Sequence, residues 1–247
     1  MRGFIRLAAQ EMKLFLREPV MAFFSLILPP AIMLFFGFLF GNEPNPQFGG
    51  LGTVDASVPA YIGMVIGLTA LLSLPITLSN YRERGILRRY RATPMSPLAV
   101  LGAQVLVQFA VTALGVLVLA ILGRTLFGMK FSGSLPAVAL GFTLSCLSFF
   151  SVGMMIASLA PSAKATVVIG NVVLYPMIYL SGATVPLEVL PAGMRSFSRF
   201  IPMSHIVTLM RGLWVGDSLL SHWPELAVLG GIMLVSIALA SFSFRWE

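Results

Sequence analysis

The hydrophobic positions of this chain fall into six long apolar runs, at residues 20–40, 58–80, 98–123, 135–160, 167–185 and 224–244. Most hold about 20 residues or more, and at 1.5 Å per residue a helix of that length crosses the hydrocarbon core of a bilayer. The pattern therefore predicts an all-α membrane protein with six spanning helices. The fifth is the shortest, and Pro176 removes a backbone donor from its middle. The longest connections are residues 41–57, 81–97 and 186–223. The first is rich in Gly, Pro and Asn and predicts a short loop. None has room for a soluble domain and no internal repeat is visible, so residues 1–247 are expected to form one transmembrane domain.

Residues 2–18 are patterned differently. At 100° per residue, Arg2, Arg6, Lys13 and Arg17 fall within about 60° of one another, with Phe4, Ile5, Ala8, Met12, Phe15 and Leu16 on the opposite side. That is the pattern of an amphipathic helix lying in the membrane interface, its bases towards lipid phosphates. Pro19 restricts Glu18 and marks the junction with the first span. Glu11 and Glu18 lie near the apolar side, where lipid alone disfavours them, so a protein partner is expected there. Residues 186–223 are apolar but interrupted by Pro191, Gly193, Pro202 and Gly212. Helices over 187–200 and 204–215 would be too short to span.

Composition narrows the class. The chain is 57% hydrophobic and 10% charged, against roughly a quarter charged in an average soluble domain. There is too little charge for a water-exposed surface, so the solvent is largely lipid. The net charge of +7 comes from bases at the ends of apolar runs, where they act as topology signals; nucleic acid is not an expected partner. With the N-terminus inside, cytoplasmic segments hold eleven Lys and Arg residues and outer segments five. Both termini are therefore expected in the cytoplasm, the chain sitting in a bacterial-type plasma membrane. A charged stretch precedes the first run and no small-residue cleavage site follows it, so the pattern is not that of a cleavable signal. Cys146 is the only cysteine, which rules out an intrachain disulfide.

The connection Tyr81-Arg-Glu-Arg-Gly-Ile-Leu-Arg-Arg-Tyr-Arg-Ala-Thr-Pro-Met-Ser-Pro97 carries five arginines, and Glu83 to Tyr90 predict about two helical turns before Pro94 and Pro97. This segment resembles the cytoplasmic loop of ABC-2 type permeases, the membrane subunits of one class of ATP-driven exporters. Their drug-exporter members read approximately E-R-E-x-G-T-L-x-x-L-x-A-T-P-x-S. Arg82 to Leu87 and Ala92 to Pro97 follow that pattern, with Tyr81 in place of the leading Glu and Ile86 in place of the Thr. Leu180-Ser-Gly-Ala-Thr-Val-Pro-Leu-Glu-Val-Leu-Pro191 is similar to a second family stretch, and Pro202, Ser204, His205 and Arg211-Gly212 to the elements after it. The resemblance implies that the two short helices re-enter the outer leaflet as a hairpin before the last span. Non-helical backbone at that depth needs protein or water around it.

Other chemistries find no support in the residues. The only lysines, Lys13, Lys130 and Lys164, follow Met12, Met129 and Ala163, so no Gly-Lys pair exists to build a Walker A phosphate loop. His205 and His222 lie outside the runs, and adjacent Ser204 and His205 do not face each other on a helix. Leu180-Ser-Gly lacks the surrounding nucleophile-elbow pattern and no metal-ligand spacing appears. The runs are nearly free of ionisable groups, which an ion-coupled carrier would need.

The resemblance implies two copies of a separate ATPase subunit, which would bind ATP and Mg, and a second permease copy or homologue. It places ATPase coupling on Glu83, Arg84, Gly85, Leu87, Arg88, Arg89, Tyr90 and Arg91. It also implies that the second and fifth spans line the substrate path. Along the fifth, Asn171, Tyr175 and Tyr179 share one face by their spacing of four; along the second, Met64, Leu68 and Leu71 recur similarly. The expected cargo is a hydrophobic drug, antibiotic or lipid. A polysaccharide or lipid-linked glycan is the rival, which the scarcity of aromatic residues in the second span disfavours.

Overall fold

The computed structural model of the protein describes residues 2–45, 50–87, 97–184 and 191–243. Nine helices of seven residues or more order the described chain: α1 Arg2–Leu16, α2 Pro19–Phe40, α3 Thr53–Glu83, α4 Pro97–Phe127, α5 Leu135–Leu159, α6 Ala163–Leu180, α7 Ala192–Ser198, α8 Pro202–Val215 and α9 Trp223–Ser243. No strand occurs among the described residues. Six helices are long and apolar enough to cross a membrane, matching the six runs. The fifth begins at Ala163, earlier than its hydropathy indicates, because the Ser162 side chain accepts the Ala165 N–H at 3.1 Å and caps the helix. It then continues unbroken through Pro176.

The second run is the hub. Most residues of α3 are buried, whereas fewer than half are in each of the other spans. α2, α4, α5, α6 and α8 all pack on it, and α9 lies along α5. The outer spans expose many large apolar residues, such as Phe35, Phe38, Leu117, Val172, Leu234 and Phe242, which suits a lipid-facing shell.

Both α2 and α3 contain a turn of π-helix, Phe23–Ile27 and Thr69–Ser73, each just ahead of proline. The cause is local. Leu28 donates back to Phe23 and Leu74 to Thr69, five residues apart. Pro75 has no N–H for the carbonyls of Ala70 and Leu71, and Pro29 and Pro30 have none for Ser25. Glycines of neighbouring helices receive these carbonyls. Gly153 of α5 lies against Ala70 O, a Cβ at Gly170 of α6 would stand 2.5 Å from Leu71 O, and one at Gly115 of α4 would stand 3.3 Å from Ser25 O. Only a residue without a side chain allows backbone oxygen so close.

At the end of the bundle away from the arginine-rich connection, Asn42 ties three segments together. Its Oδ1 accepts from the backbone of Val54 and Asp55, capping α3, and its Nδ2 donates to Phe127 O at 3.1 Å. Asp55 in turn accepts from Lys130 N at 3.0 Å.

α8 is too short to span at 14 residues. Its Met203 packs by Gly67, halfway along α3, while its other end meets the Phe131 ring through Trp214, centroids 4.9 Å apart. Arg211 donates to Gly182 O at 3.3 Å, joining α8 to the end of α6.

Candidate functional site: a basic-end joint and a lateral groove

At the basic end the adjacent residues Arg82 and Glu83, closing α3, cap two helices of opposite polarity. The Arg82 guanidinium donates to the carbonyls of Ala157, at 3.0 Å, and Ala160, the C-terminal end of α5. The Glu83 carboxylate accepts Ala163 N–H at 2.7 Å, at the first residue of α6. Each charge complements the dipole of the helix end it meets. The pair therefore clamps the short α5–α6 connection to the exit of α3. Gly85 then turns the chain with φ +65°, ending α3 in the left-handed conformation.

Leu87 follows at 1% exposure, packed with Leu7 of α1 and Val100 and Ala103 of α4, with Phe4, Ala8 and Tyr81 around them. The pocket that Leu87 fills is thus the chain's own. Arg84 is exposed. Arg88, Arg89, Tyr90 and Arg91 lie outside the described residues.

The helix α1 packs along α4 through Leu7, Glu11 and Phe15, one face at four-residue spacing, while Ile5, Leu14 and Leu16 are exposed. The partner expected for Glu11 lies within the same chain: Tyr81 OH donates to its carboxylate at 2.5 Å and Gln104 Nε2 at 2.6 Å. Burial pushes the Glu11 carboxyl up from its ordinary value, and these two donors pull it partly back.

Halfway along the bundle the two π turns face one groove of about 550 Å³. Met21, Phe24 and Ser25 of α2 form one wall, Leu68, Leu72, Ser73 and Ile76 of α3 the floor, and Val167, Asn171 and Tyr175 of α6 the other wall. Arg17 and Glu18 stand at its end. The lining is predominantly apolar, and the volume falls within the roughly 300–1,000 Å³ of clefts that take drug-sized ligands.

Of the six residues assigned to a substrate path, the structure brings three to this groove: Leu68, Asn171 and Tyr175. Met64 and Leu71 lie in the core, 4% and 0% exposed. Tyr179 is exposed beyond the groove's end. The whole α2 wall and the α3 residues Leu72 and Ile76 were not anticipated. Pro29-Pro30 and Pro75 were the available signal, since a proline inside an apolar run disturbs the helix just before it.

The fold and this geometry define a multi-pass, all-helical membrane protein with a lateral apolar groove and no strand or metal cluster among its described residues. Residues 2–214 match the sequence profile of the ABC-2 type transporter family, and the chain belongs to that family. It is 28% identical over 201 residues to the inner membrane transport permease YhhJ of Escherichia coli (strain K12), covering 76% of this chain and 52% of that protein. It is 25% identical over 177 residues to the probable multidrug ABC transporter permease YbhR of the same strain, covering 69% and 48%. Nodulation protein J of Rhizobium leguminosarum bv. trifolii is 36% identical over 83 residues, 34% of this chain and 30% of that one. The chain spans about half the length of the two Escherichia coli relatives.

Proposed function

We propose that this chain is the permease subunit of an ATP-binding cassette exporter, carrying a hydrophobic or amphiphilic molecule out of the cytoplasm or the inner leaflet. The observation that supports this most is the groove. It is apolar along its length, it has a cation and a carboxylate side by side at one end, and it lies beside helices whose outer faces are apolar. A molecule with a polar head and a lipophilic body matches that layout. A glycan matches it less well, because only Phe24 and Tyr175 offer aromatic faces in the lining.

In this reading the basic end is cytoplasmic. Two ATPase subunits, which bind the nucleotide and Mg, dock there in line with the family membership, and a second permease copy or homologue completes the path. Residues 1–247 act as one transmembrane domain, with α7 and α8 re-entering from the outer side. A push on the loop around Arg84 reaches α5 and α6 through Arg82 and Glu83, and reaches α1 and α4 through Leu87. Those connections support a coupling role for Glu83 and Leu87, with Arg84 and Gly85 on the loop between them.

A photoreactive lipophilic probe, added to the chain in lipid nanodiscs, tests the groove. Label is expected on Leu72, Ile76 and Tyr175, reduced several-fold when Leu72→Trp fills the cavity. Label spread equally onto Val235 and Leu239 of α9 would mean nonspecific lipid contact and would sink the reading. Co-purification of an ATPase from the native membrane tests the partner separately.

A further inference from the structure

Gln104, Gln108 and Thr112 recur every fourth residue on α4 and form a buried row. Each reaches another element: Gln104 to Glu11, Gln108 Nε2 to Ser73 Oγ at 3.0 Å, and Thr112 to Thr69 at 2.8 Å. One atom of the row stands out. Gln108 Oε1 is buried and has no hydrogen-bond partner, in a residue only 1% exposed. A buried amide oxygen left so loses its water without gaining a donor in return.

Gln108 lines a cavity of about 20 Å³ together with Glu11, Glu18, Thr77, Tyr81 and Gln104. That is room for about one water molecule. Glu11 is 4% exposed, and both of its donors bond the same oxygen, Oε2. No lysine or arginine pairs with it among the described residues. The cavity thus has a carboxylate and an amide oxygen, both acceptors, on its wall. A buried acceptor without a donor on the wall of so small a space is satisfied when a hydrogen is supplied to it, by a neutral carboxyl or by a water. Among titratable groups, Tyr81 faces Glu11 from α3, and Glu18 faces it from the α1–α2 junction. From α4 come Gln104, Val107 and Gln108, none of which titrates.

We propose that Glu11 and Gln108 form a proton-binding site at the joint between α1, α3 and α4. A solvent hydronium gives its proton to Glu11 Oε1 and leaves as water; one O–H bond breaks, one forms, and no electron is transferred. Gln108 Oε1 accepts the new O–H, directly or through one water in the cavity. The neutral carboxyl lets α1 dock. Its ionisation places a charge with no cationic partner among the described residues on the packed face that Glu11 shares with Leu7 and Phe15, and loosens α1 from the joint.

The full chain in lipid nanodiscs, followed by infrared spectroscopy, tests this. At about pH 6, above the ordinary glutamate range, a neutral-carboxyl C=O band is expected in the wild type and absent in Glu11→Gln. Tyr81→Phe removes a donor to the carboxylate and should move the band's titration midpoint upward. Identical wild-type and Glu11→Gln spectra at that pH would overturn the proposal. So would a midpoint that shifts when sodium replaces potassium, which would make the site one for a metal ion. If Glu11→Gln does not fold, Tyr81→Phe decides alone: an unmoved midpoint overturns the site.

Discussion

Arg82 and Glu83 differ by one position and point to different helices, so their substitutions fail in different ways. Removing Arg82 leaves the carbonyls of Ala157 and Ala160 without a charged donor. Arg82→Ala should cost about 1–3 kcal/mol of stability. Glu83→Ala removes one helix cap and should cost about 1 kcal/mol. Thermal unfolding in mild detergent measures both, and an Arg82→Ala variant as stable as wild type would show the clamp to be decorative. Glu11 makes stability depend on pH with a fixed sign. Burial raises its pKa in the folded chain above the ordinary 4.5, so the folded form holds the proton more tightly than the unfolded. That contribution is complete below about pH 4.5 and is lost as pH rises through the folded value. The wild-type minus Glu11→Gln difference in unfolding midpoint should therefore shrink with rising pH over this window; a constant difference would contradict it.

At the scale of elements, the two π turns connect packing to the groove. Gly170→Ala sets a methyl 2.5 Å from the Leu71 carbonyl, a backbone atom that cannot swing aside. The cost should be about 1–3 kcal/mol, as for other overpacked sites, and Gly153→Ala should behave alike against Ala70. Gly230→Ala, where nothing lies within 4 Å, is the control and should be neutral. Purification yield and unfolding midpoint distinguish these outcomes, and equal effects at all three sites would refute the clasp. These contacts also mark where the sequence stops being readable. Pro75 and Pro29-Pro30 announce a disturbed helix, but the glycines that receive the freed carbonyls lie 83 to 99 residues away from them along the chain. Spacing locates Asn171 and Tyr175 on one face because that face belongs to one helix. It does not reveal that α2 supplies the opposite wall, nor that Met64 and Leu71 turn into the core while Leu68 reaches the groove. Hydropathy alone draws the six spans, since lipid imposes length and apolarity on each independently. Glu11 was legible as a misfit on an apolar face, but its donors Tyr81 and Gln104 were not, because they come from two other helices.

For the whole molecule, the outer spans bury fewer than half of their residues and expose many large apolar side chains, while α3 is enclosed. This is the inverse of a water-soluble bundle, and lipid is the solvent that makes it stable. Its orientation rests on where the bases lie: the end that holds Arg82, Arg84 and Lys164 against the end that holds Arg124 and Lys130. The two ends also differ in what they need from water. The basic end carries the Arg82–Glu83 clamp and the exposed Arg84, groups suited to a partner bearing opposite charge. The other is closed by Asn42 and Asp55 bonding backbone amides internally. Lys130 and Lys164 are both exposed, one at each end, and the sole cysteine, Cys146, is buried. In intact cells a membrane-impermeant maleimide should therefore label Lys130→Cys and leave Lys164→Cys unlabelled until the membrane is opened. The reverse pattern would place the basic end outside. An ATPase could not then reach the α5–α6 clamp, and the coupling route through Arg82, Glu83 and Leu87 would have to be abandoned, while the fold and the groove would stand.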